Sequence, residues 1–98
     1  MNKKHSHRTL LPQAGHFVDK LTGAVIPPIH PSTTFARDEN YELIGAYKYS
    51  RYQNPTYDQV ETLAAKLDNG AEAKLFASGM AAITAVFETV EIGQHIVA

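Results

Sequence analysis

The sequence predicts an α/β fold, and three observations predict it. From Lys74 onward, "KLFASGMAAITAVFETVEIGQHIVA" sets a short apolar run, a stretch of helical spacing and a second apolar run in succession. Just ahead, "NPTYDQVETLAAKLDNG" carries the period and the stop signal of another helix. The preceding segment is of a different character: four of the five prolines (Pro12, Pro27, Pro28, Pro31) fall in the first 31 residues, and nothing before Tyr57 sustains helical spacing. Strand, helix and strand in about 25 residues form a βαβ unit, with parallel strands and a right-handed crossover.

The elements follow in chain order. "MNKKHSHR" is basic but lacks the apolar stretch of a secretory signal, and reads as a solvated tail. "GAVIPPIHPSTTFA" is expected to be extended, because proline fixes φ and removes an N–H donor; it cannot be a central strand. A fairly apolar arm of this length must find partners elsewhere. Thr56 as N-cap with Gln59 three residues on forms the reciprocal pair that starts a helix. Val60, Leu63, Ala64 and Leu67 make one apolar stripe, and "DNG" ends it, predicting a helix over 57–68. Lys74–Ala77 reads as a buried strand and Ser78-Gly79 as a sharp turn. Ile83, Val86, Phe87 and Val90 form one face of a helix ending at Gly93, and "HIVA" begins a further strand. A parallel sheet needs cover on both faces, which one βαβ unit cannot provide. The last residues stop inside an apolar run, so the chain is expected to be the front part of a larger protein.

Composition narrows the function. With 98 residues, 44 % hydrophobic and 19 % charged, the chain suits one small domain and is too apolar for disorder throughout. No apolar run approaches the roughly 20 residues of a membrane helix. Absence of cysteine excludes a disulfide framework or thiolate metal site and is compatible with a reducing compartment, so a cytoplasmic location is expected.

Two stretches carry chemistry. The turn "ASGMAA" joins a predicted strand to a helix, where free N–H groups and the helix dipole make an anion site suited to phosphate. Its plainer reading is that Ser78 caps the helix and Gly79 makes the turn; neither a P-loop nor G-x-G-x-x-G is present. The second stretch is "YKYSRY". All five tyrosines (Tyr41, Tyr47, Tyr49, Tyr52, Tyr57) lie within 17 residues. Such a patch suits a subunit contact or stacking on single-stranded nucleic acid. Equally, it suits a clamp in which Arg51 forks onto a phosphate while Tyr49 donates its hydroxyl. A net charge of −1 leaves no electrostatic footprint for nucleic acid. In an extended strand Tyr49 and Arg51 leave on the same face. His5 and His7 lack further ligands at metal spacing, so no metal is expected. His16, His30 and His95 stand apart in sequence and are assigned to surface or packing. Asp38-Glu39 reads as a solvated loop.

Taken together, "TGAVIPPIHPSTTFA", "YKYSRYQNPT", "LAAKLDNGAEA", "LFASGMAAITAVF" and "IGQHIVA" resemble, in order and spacing, the N-terminal part of the Cys/Met-metabolism (transsulfuration) enzymes that use pyridoxal 5'-phosphate. These include cystathionine γ-synthase, cystathionine β- and γ-lyase and methionine γ-lyase. The resemblance runs from about Gly15 to Ala98. It differs at His30 and Pro31, where many members carry a tyrosine and another residue, and at "LLPQAGH".

The resemblance implies the N-terminal portion of a fold-type I transferase. Residues 1–56 would form an extended arm contacting a neighbouring subunit, and 57–98 the start of the cofactor-binding α/β domain. It implies that Tyr49 and Arg51 hold the cofactor phosphate in the neighbour's site, while the Gly79 and Met80 N–H groups cradle the phosphate of their own subunit. The expected assembly is a homotetramer built as a dimer of dimers, and the substrate a small sulfur amino acid undergoing β- or γ-elimination or replacement. No catalytic residue is assigned in this chain. The Schiff-base lysine is expected beyond residue 98, since Lys48, Lys66 and Lys74 do not fit its motif. The alternative is a non-catalytic oligomerisation module with a phosphate-binding βα turn.

Overall fold

In the computed structural model, residues 6–98 are described; His5 lies outside them. Three helices are present among the described residues: α1 (His7–Leu10), α2 (Pro55–Asp68) and α3 (Gly79–Glu88). The single turn α1 falls where the sequence reads as a solvated tail. It is held by the Ser6 carbonyl, which accepts from the Thr9 and Leu10 N–H groups, and it packs on α2.

Helix α2 begins two residues earlier than its spacing predicts. Asn54 is the N-cap, its side chain accepting from the Thr56 N–H, and Pro55 takes the first helical position, where a missing N–H is harmless. The expected Thr56–Gln59 capping pair does not form. The Thr56 hydroxyl instead accepts from the His30 N–H at 2.9 Å, and the Gln59 amide donates to the Ala14 carbonyl at 2.8 Å. At the other end Asn69 adopts the left-handed conformation (φ 53°), as helix C-caps often do. Helix α3 stops at Glu88, short of Gly93. The Thr89 N–H and hydroxyl both turn back to the Val86 carbonyl and close the last turn.

Between α1 and α2 the arm has no helix. It crosses α2 at Gly15 (φ +69°), where an added Cβ would lie 3.4 Å from Lys66 Nζ and 3.7 Å from Leu63 Cδ1. Residues 33–37 and 43–50 then run antiparallel, through isolated bridges at Thr34–Tyr49 and Arg37–Leu43. Asp38 does more than face solvent in its loop, because its carboxylate accepts from the Asn40 and Glu42 N–H groups.

The predicted βαβ unit is realised only as an extended–helix–extended order. Neither Lys74–Ala77 nor "HIVA" joins a strand ladder among the described residues. A strand exists through its neighbour's hydrogen bonds; here the Leu75 N–H donates to Glu61 Oε1 of α2 at 2.9 Å. No described apolar side chain is buried. The radius of gyration is 17.3 Å, against about 13 Å for a compact domain of similar length. Leu63, Ala64 and Leu67 are half-buried, whereas Met80, Ile83, Val86 and Phe87 leave α3 open. Among the described residues no helix is long and apolar enough to cross a membrane.

Candidate functional site

The tyrosine-rich patch is built on a turn. The Tyr49 carbonyl accepts from the N–H groups of Tyr52 (3.0 Å) and Gln53 (3.1 Å), so the chain bends immediately after the Thr34–Tyr49 bridge. The expected extended strand through Arg51 is therefore absent. The two side chains still meet: the Arg51 guanidinium lies 5.5 Å from the centre of the Tyr49 ring, and Tyr52 meets the other ring edge-on with centroids 5.9 Å apart. A cation over an aromatic face is attracted by the ring quadrupole, which holds Arg51 against the Tyr49 ring without neutralising it. Among the described residues Arg51 has no carboxylate partner, whereas Lys74 pairs with Glu61 at 3.5 Å.

Tyr47 is occupied differently. It packs on Phe35 and donates its hydroxyl to Asp58 Oδ2 at 2.8 Å, tying the patch to the first turn of α2. Burial first, then the hydrogen bond and the negative charge of Asp58, raise its pKa above the ordinary phenol value of 10.0. A raised folded-state pKa means that the contact stabilises fully below about pH 10 and is lost as pH climbs through the higher folded value. Tyr47 is accordingly expected to ionise later than an exposed phenol, and Asp58→Asn to bring its titration back toward the usual range. Tyrosinate absorbance followed in wild type, Tyr47→Phe and Asp58→Asn checks this; superimposable curves would contradict it.

The corner at the start of α3 takes the plainer capping role offered for Ser78. Ser78 is the N-cap, its hydroxyl accepting from the Ala81 N–H at 3.1 Å. Gly79 is not in the left-handed region, and nothing lies within 4 Å of the position a Cβ would take. Neither backbone conformation nor packing within the described residues requires glycine there. The Gly79 and Met80 N–H groups have no hydrogen-bond partner, as expected for a first helical turn. No hydrogen bond, ion pair or ring contact among the described residues joins this corner to Tyr49 or Arg51. The donors thus form two separate sets.

A groove of about 460 Å³ lies elsewhere, between α2 and residues 70–74. It is lined by Asp58, Glu61, Lys66 and Lys74 among others, but by none of the four candidate residues. Among the described residues no group of three or more His, Cys, Asp or Glu side chains gathers as a metal centre would need. Sequence reasoning missed the links from Asn54 and Thr56 to His30 and from Glu61 to Leu75. For Asn54 the signal was present, since Asn-Pro-Thr places a good cap before a proline; the distant partners left none.

The fold is that of the fold-type I enzymes. The chain matches the crystal structure of metB from Corynebacterium glutamicum with a TM-score of 0.79 and 34 % identity, over 89 % of this chain and 23 % of that one. Residues 8–98 match the family described as Cys/Met metabolism PLP-dependent enzyme, and the chain belongs to it. Among curated relatives, a cystathionine beta-lyase of Coxiella burnetii is 41 % identical over 98 % of this chain and 24 % of its own length. A cystathionine gamma-lyase of Bacillus subtilis is 40 % identical over 92 % of this chain and 24 % of its own. A cystathionine gamma-synthase of Mycobacterium bovis is 41 % identical over 86 % and 22 %. The chain therefore spans less than a quarter of the length of these relatives. The family's cofactor is pyridoxal 5'-phosphate.

Proposed function

We propose that the chain supplies phosphate anchors for pyridoxal 5'-phosphate in a complete cytoplasmic enzyme performing β- or γ-elimination or replacement on a sulfur amino acid. In this reading Tyr49 and Arg51 serve the site of a neighbouring subunit, and the Gly79 and Met80 N–H groups serve their own. The assembly is a homotetramer made as a dimer of dimers. Residues 1–56 act as the arm that crosses the subunit boundary, and 57–98 open the cofactor domain. The active-site lysine lies beyond this segment.

The carrying observation is the Gly79 corner: a glycine that neither φ nor packing demands, followed by open space and two free N–H groups. A group that approaches the backbone closely would account for it. The donors fit a phosphate dianion, with an unpaired guanidinium, a phenol and helix N–H groups. Two donor sets that do not touch within one chain fit an arrangement in which each meets its complement on another subunit.

When bound, the cofactor supplies an electron sink for the substrate's α-carbon. This chain's residues bind and orient. Arg51 offers a forked pair of N–H donors, Tyr49 a hydroxyl, and the helix end a fixed partial positive charge. Adding pyridoxal 5'-phosphate to the complete protein should give a yellow holoenzyme that turns over cystathionine or a related sulfur amino acid. A protein that stays colourless would favour the non-catalytic module instead.

A further inference from the structure

We propose that Asn54 is a positioning residue for the phosphate clamp, acting through the main chain of His30; this rests on the phosphate reading of Tyr49 and Arg51 above. Asn54 is the one buried residue among those described, at 3 % exposure. Its amide works in two directions. Oδ1 accepts from the Thr56 N–H at 2.8 Å and caps α2, while Nδ2 donates to the His30 carbonyl, 24 residues away, at 3.0 Å. Thr56 completes the link, its hydroxyl accepting from the His30 N–H at 2.9 Å. Both peptide groups of His30 are thus taken by residues on either side of Pro55. The imidazole plays no comparable part, since its Nδ1 is enclosed without a partner.

The consequence for the clamp is geometric. A second fastening joins the same two stretches at the Ser50 N–H to Thr33 carbonyl bond (2.8 Å) and the Thr34–Tyr49 bridge. Arg51 sits on the turn between these fastenings, and Tyr49 at its start. With both in place, the turn has a fixed origin on α2 and a fixed distance from the arm. With the Asn54 end released, the turn hangs from one side. Helix capping alone would not require an amide: serine caps about as well as asparagine, but it is too short to reach His30 while engaged with the Thr56 N–H. The second function calls for the longer side chain with a donor and an acceptor.

The test compares pyridoxal 5'-phosphate with pyridoxal, which lacks the phosphate, on the complete apoprotein, with bound ligand read by its absorbance. Asn54→Ser keeps the cap and removes the bond to the His30 carbonyl without adding charge; Thr56→Val removes the companion bond from the His30 N–H. Arg51→Ala is run alongside. Asn54→Ser and Thr56→Val should each lower the preference for the phosphorylated ligand by about tenfold, the scale of one or two lost hydrogen bonds. Pyridoxal affinity should hardly move. If Arg51→Ala lowers the preference but both clamp variants only lower the melting temperature, Asn54 is structural and the inference is overturned, while the phosphate reading stands. If Arg51→Ala leaves the preference unchanged, that reading fails and the inference with it. Should Asn54→Ser not fold, Asn54→Asp, which keeps the capping oxygen and loses the Nδ2 donor, takes its place, and an unchanged preference there overturns the inference.

Discussion

Arg51→Ala in the complete protein is expected to weaken retention of pyridoxal 5'-phosphate by about 1.5–3 kcal/mol, roughly a tenfold to hundredfold loss. The magnitude is that of a hydrogen bond to a charged group. Its lower end applies if the phosphate stays wet, because screening by water and salt erodes an exposed pair. No carboxylate competes for the guanidinium among the described residues, and the Tyr49 ring at 5.5 Å restrains it, so less ordering entropy is lost on binding. Tyr49→Phe should cost less, since it removes a neutral donor and keeps the ring on which Arg51 rests. Dialysis of each holoenzyme, followed by the absorbance of retained cofactor, measures both. Retention equal to wild type in Arg51→Ala would take that residue out of the site.

Residues 1–98 expressed alone are expected to show no cooperative thermal transition and no bound cofactor. Folding must offset about 1–2 kcal/mol of backbone entropy per residue, chiefly by apolar burial, and no described apolar side chain is buried. Helix α3 illustrates the shortfall, with Phe87 51 % exposed and Met80 67 %. Leu21 in the arm is 92 % exposed. Segments of this kind fold with what covers them. Helix α2 should keep partial helicity, because the Asn54 cap and the Asn69 turn at its ends are local. Circular dichroism on heating distinguishes the cases: a sharp sigmoidal melt would overturn the expectation, and a broad decline would support it.

Both results bear on how much the sequence could say. The two long helices were legible in outline, because a 3.6-residue period and a stop signal are written within a few residues of each other. Ser78 and Gly79 were legible as a corner for the same reason. Tyr49 and Arg51 were legible as neighbours, although the sequence assigned them to a strand and the chain makes a turn. That error has a local origin: alternate residues of a β-rich patch satisfy the period-two pattern whether or not a ladder partner arrives.

What the sequence determined by itself was family membership, carried by the ordered motifs, together with the two long helices and the residue types at the patch and the corner. Tertiary structure alone decided where the Thr56 hydroxyl and Gln59 amide go, and that Lys74–Ala77 is met by Glu61 instead of a strand. The physical reason is that a hydroxyl or amide can satisfy a nearby N–H or one 26 residues away equally well. Local pattern lists the eligible partners, and only chain packing selects among them.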